Sequence, residues 1–140
     1  MGLLTALMLA LAGCGGDDDS GATPATTEIA AVADCLGADS SLTTPLTNKL
    51  VVEGGQIRNA FLVESESAGV YYLSAEVDGA GLEEDGDIGT WVTASRFGSD
   101  PLYAVNDVAM EHSDWSDAAS ASLESDPEAE VASRACVTDS

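Results

Sequence analysis

The sequence predicts a small two-layer α+β domain: an antiparallel meander of three to four strands packed by one or two helices. Three observations lead there. Residues 56–64 (QIRNAFLVE) and 70–78 (VYYLSAEVD) are strand-length runs joined by the loop-like Ser65-Glu66-Ser67-Ala68-Gly69, the pattern of a hairpin. After Ser99 the apolar spacing lengthens from two to between three and four. An Asp-Pro step, a capping carboxylate followed by a proline suited to the first helical turn, occurs at Asp100-Pro101 and again at Asp126-Pro127. If the acidic C-terminal third formed strands instead, the architecture would be the alternative, an all-β sandwich.

Residues 28–36 place Ile29, Val32, Ala33 and Leu36 at helical spacing with Gly37 as a stop, which predicts a short first helix. Residues 41–52 are ambiguous, because Pro45 interrupts them and Leu50-Val51-Val52 has the character of a short strand. In the second hairpin strand Tyr71, Leu73, Ala75 and Val77 share one face, and Tyr72, Ser74 and Glu76 the other. A third strand is expected over 88–97 (IGTWVTASRF), after an exposed loop at 79–86 (GAGLEEDG). The first Asp-Pro step then opens a helix ending near Ser113, with Val105, Val108, Ala109, His112 and Trp115 on one face. The second opens a last helix over 128–136, with acids in its first turn and Arg134 near its end.

A chain of 140 residues, 45% of them hydrophobic, has room for one globular domain and some tail. Its charge is lopsided: 25 acidic residues stand against Lys49, Arg58, Arg96 and Arg134, a formal net of −21. Such a surface repels nucleic acid and anionic lipid headgroups, so neither is an expected partner. It favours solubility and tolerance of salt.

Residues 2–13 (GLLTALMLALAG) form an apolar run without a charged side chain. As a helix they would reach about 18 Å against a hydrocarbon core of about 30 Å, too short to span but suited to a signal-peptide hydrophobic region. The run ends in Leu11-Ala12-Gly13-Cys14, an aliphatic residue and two small ones before cysteine. This tetrapeptide resembles the lipobox of bacterial lipoproteins, and the resemblance covers residues 1–16. It implies cleavage between Gly13 and Cys14, a diacylglycerol on the Cys14 thiol, N-acylation (palmitate) of the new terminus, and a place on the extracytoplasmic face of a membrane. The basic residue that ordinarily precedes such a run is missing here, which a start further upstream would explain. The expected division is a signal peptide at 1–13, a lipidated cysteine with a flexible acidic and Gly-rich linker at 14–27, and one extracytoplasmic domain at 28–140. The linker stretch GGDDDSGATPATT has no large apolar residue and an r.m.s. reach of about 20 Å; its Asp17, Asp18 and Asp19 read as a solvated charge run.

With Cys14 assigned to lipid, the odd count of three cysteines leaves Cys35 and Cys136 as a pair at the two ends of the domain. In an oxidising compartment the expectation is a disulfide. No catalytic constellation is recognisable. The acidic stretch with Glu83, Asp85 and Asp87 invites a calcium reading, but the twelve-residue calcium-loop template would put Gly81 at its first ligand position and Val92 at its last. An acidic hairpin tip is the simpler account. His112 with Asp114 and Asp117 is a thin zinc set, as the chain has one histidine. A Ser-His-Asp hydrolase lacks a nucleophile elbow, and a Glu83/Asp87 glycosidase pair lacks a cleft in so small a domain. The expected function is a non-catalytic binding domain without cofactor, held to the membrane by its lipid and facing another envelope protein. The alternative is a divalent-cation or small-ligand module built on loop 83–87.

Overall fold

The computed structural model describes residues 34–82 and 87–140. They form an α+β domain with a five-stranded antiparallel sheet in the order β1-β2-β3-β4-β5, each strand beside its sequence neighbour. The helix expected over 28–36 lies mostly outside the described residues. Its last position, Leu36, is in a strand: β1 (Leu36–Gly37) pairs antiparallel with Leu62 and Phe61.

Residues 41–52 are resolved in favour of a helix, α1 (Ser40–Asn48), with Pro45 inside it. The Asp39 side chain accepts the Ser41 N–H at 2.6 Å and so fixes the start. Leu42 and Leu46, four apart, both point into the core and are fully buried. Pro45 has no N–H for the Ser41 carbonyl. The chain passes close to that carbonyl at Gly98, where a Cβ would sit 2.4 Å from the oxygen and φ is +71°. Only glycine fits there. Of the expected strand at 50–52, a single bridge from Leu50 to Ser113 is present.

The hairpin forms as expected from β2 (Gln56–Ser65) and β3 (Val70–Asp78), turning through Gly69 at φ +65°. One extra residue bulges from β2 between Arg58 and Phe61, where Asn59 adopts φ 45°. β4 (Asp87–Thr93) stops four residues short of the expected Phe97, at the turn that carries Gly98 past α1.

The helix expected from Asp100-Pro101 is the clearest correction. Both residues are exposed and outside any regular element, and β5 (Tyr103–Ala104) pairs with Val92 and Trp91. The helix proper, α2 (Asp107–His112), begins at Asn106. Leu102 and Ala104 alternate inward, both buried, which is strand spacing. A 3-10 turn at Ala118–Ala121 follows, and then α3 (Pro127–Thr138), capped by Asp126 as expected.

Helices cover both faces of the sheet. Leu62, Leu73, Ala75, Val77 and Trp91 face α1 and α2. Val63, Val70, Tyr72 and Val92 face α3. The reason lies in β3, whose two faces both carry large apolar side chains, so neither is left to water. Cys35 and Cys136 form a disulfide across a separation of 101 residues, tying the approach to β1 to the last turns of α3.

Candidate functional site

Of the acidic-loop candidates, Glu83 and Asp85 lie outside the described residues, and so does half of the Glu83/Asp87 pair. Asp87 opens β4, and its Oδ2 lies 3.9 Å from His112 Nε2 at the end of α2. His112 therefore faces Asp87, not the Asp114 and Asp117 that its sequence neighbourhood suggests. Asp114 turns to Lys49, with 3.8 Å between carboxylate and ammonium, and its N–H donates to the Lys49 carbonyl at 2.8 Å. Asp117 caps the 3-10 turn by accepting the Ala119 N–H. Among the described residues no three metal-capable side chains converge.

Backbone pairing builds this corner. The Val51 N–H donates to the His112 carbonyl, and Leu50 bridges to Ser113, so the segment after α1 runs beside the end of α2. Lys49 is brought over the ring of Trp115 at 5.2 Å from its centroid. That contact escaped sequence reasoning, which had no signal linking positions 66 residues apart. The Trp115 indole N–H is buried without a hydrogen-bond partner among the described residues. The corner thus holds one ammonium, one imidazole and two carboxylates, matched in pairs. Exposed ion pairs and cation–π contacts of this kind contribute at most about 1 kcal/mol each. Among the described residues no hydroxyl or thiol is hydrogen-bonded to His112, whose neighbouring charged group is Asp87.

A second polar cluster lies under α3. Ser74 Oγ shares hydrogen bonds with Thr90 Oγ1 at 2.9 Å and with Ser133 Oγ at 2.8 Å, and all three residues are buried. At the N-terminus of α3 the Asp126 carboxylate accepts from the Ser65 hydroxyl at 2.6 Å, the Ser67 hydroxyl, and the N–H groups of Glu128 and Ala129. The Ser65 hydroxyl first, then the Ala129 N–H, hold the Asp126 carboxyl below the usual carboxylate value. The Tyr72 hydroxyl accepts the Asp126 N–H at 2.7 Å, and burial raises its phenol above the ordinary value. These groups are mutually satisfied and hold a helix in place.

The other aromatics serve packing. Trp91 is fully buried, and its Nε1–H donates to Ser113 Oγ at 3.1 Å. Of the two β3 tyrosines, Tyr72 is buried and Tyr71 half-buried, its hydroxyl donating to Glu64 at 3.3 Å. Among the described residues Phe97 is the most exposed large apolar side chain, with Arg96 over its ring. Comparison with protein-family models, with curated proteins and with solved structures gives no match to this chain.

Proposed function

We propose that the protein is a bacterial lipoprotein, anchored through acylated Cys14 on the extracytoplasmic face of a membrane, whose domain binds another envelope protein and catalyses nothing. The observation that carries this reading is the distribution of cysteines. Cys35 and Cys136 pair within the domain, and the third cysteine is the one that ends the lipobox-like Leu11-Ala12-Gly13-Cys14. A disulfide fits a compartment outside the cytoplasm. Diacylglycerol with a third acyl chain would supply firm attachment, which a single chain does not. Among the described residues no helix is long and apolar enough to cross a membrane, so attachment on this reading falls to the lipid.

Mass spectrometry of protein extracted from membranes tests the anchor. The expected result is a chain beginning at Cys14 with diacylglycerol on the thiol, and Cys14→Ser protein that loses membrane attachment. An intact leader with a free Cys14 thiol rejects it. Binding is tested by capturing partners with the acylated protein, compared with an unrelated acylated domain. Enrichment of a particular envelope protein supports the proposal, and identical captures reject it.

A further inference from the structure

The two faces of the sheet are covered by unequal means. On the first, α1 contributes Leu42 and Leu46, both fully buried against Trp91, Leu73 and Val77. On the second, α3 turns inward mostly small side chains, Ala129, Ser133, Cys136 and Val137, while Val131 faces outward at 65% exposure. The middle of that interface is polar, the Ser74–Ser133 contact. As a helix, α3 satisfies its backbone internally and joins no strand ladder, so its departure breaks no sheet pairing. Its first turn is pinned by Asp126 to Ser65, Ser67 and Tyr72. Its last turns are held covalently, through Cys136 to Cys35.

We propose that the Cys35–Cys136 disulfide is a redox latch, whose reduction releases α3 from the sheet while the meander with α1 and α2 stays folded. Cys35 is the exposed residue of the pair and Cys136 the buried one, so a dithiol reductant attacks at Cys35. Its thiolate forms a mixed disulfide with the Cys35 sulfur, the S–S bond breaks, and the Cys136 thiolate leaves and takes up a proton. The reductant's second thiol then closes on its first sulfur and frees Cys35 as a thiol. Two electrons and two protons pass to the protein, and the reductant departs as a disulfide. Release uncovers Val63, Val70, Tyr72 and Val92, which α3 otherwise shields. The inference rests on the disulfide and the packing of α3, not on the lipid at Cys14, so the failure of either proposal leaves the other standing.

Hydrogen exchange read by mass spectrometry, on the full chain before and after treatment with dithiothreitol, tests it. Residues 127–138 are expected to exchange more than about tenfold faster once reduced, while 70–78 and 87–93 change less than about twofold. The proposal is overturned if α3 keeps its protection after both thiols are titrated. It is equally overturned if the sheet loses protection together with α3, because the helix is then part of one cooperative unit.

Discussion

Gly89 and Trp91 show how one residue's absence of a side chain admits another's bulk. They stand two apart on β4 and share a face, and the indole lies across the glycine: a Cβ at position 89 would be 2.3 Å from Trp91 Cη2 and 2.8 Å from Cζ3. Gly89→Ala should therefore push the largest fully buried side chain off its rotamer, at a cost of about 1–3 kcal/mol. Urea denaturation followed by intrinsic tryptophan fluorescence checks it, and an unchanged midpoint counts against the packing described. Asp126 gives a residue-level pH dependence. Its carboxyl is held below the ordinary value by Ser65 and Ala129, so its charged form is favoured by folding. That contribution is complete above the unfolded value of about 3.9 and is lost as pH falls through the lower folded value. The stability gap between the wild type and Asp126→Asn should accordingly be flat above about pH 5 and shrink below about pH 4. Urea midpoints of both proteins across that range measure it; a gap that widens on acidification contradicts the assignment.

At the scale of elements, the hairpin and the last helix were legible because their signals are local. Alternation set the faces of β3, and Asp126-Pro127 started α3 where it said it would. The same Asp-Pro signal failed at Asp100, and the reason is Asn106. Its Nδ2 donates to the Ile88 carbonyl at 2.8 Å, and its Oδ1 accepts the N–H groups of Thr90 and of Ala109, both at 3.0 Å. One side chain thus prolongs the edge of β4 beyond β5 and caps α2. A tertiary partner overrode a local cap, and the sequence around 100 holds no sign of it. Of the candidate site, the cysteine pair was legible by counting, whereas the Asp87–His112 and Lys49–Trp115 contacts depend on chain crossings that no periodicity encodes. Asn106→Ala removes the cap and both edge contacts. The expected loss is about 2 kcal/mol, measured by chemical denaturation, with faster exchange at Ala109. Asn106→Asp keeps the acceptor but sets a carboxylate oxygen against the Ile88 carbonyl, so it should not restore full stability.

Over the whole molecule the dominant fact is 25 acidic side chains against four basic ones, a formal net charge of −21. Lys49 and Arg58 are each engaged with a carboxylate, Asp114 and Asp78, and Arg96 lies over Phe97. Most of the 25 carboxylates therefore have no basic side chain to pair with. Compaction brings them closer than they are in the unfolded chain, so self-repulsion opposes folding. The range of that repulsion is set by salt: about 30 Å at 0.01 M, which spans the domain, and about 3 Å at 1 M, which is shorter than most spacings between surface charges. Stability should thus rise as sodium chloride increases from about 0.01 M to about 1 M, most steeply over the first few tenths molar, where the screening length shortens below the spacing of neighbouring carboxylates. Urea is the denaturant to use, because guanidinium chloride would supply the screening it is meant to probe. Sodium chloride and tetramethylammonium chloride should act alike at equal ionic strength if screening is the cause. A rise with sodium alone would point to cation binding at particular carboxylates, and a fall with either salt would mean that the few ion pairs outweigh the repulsion.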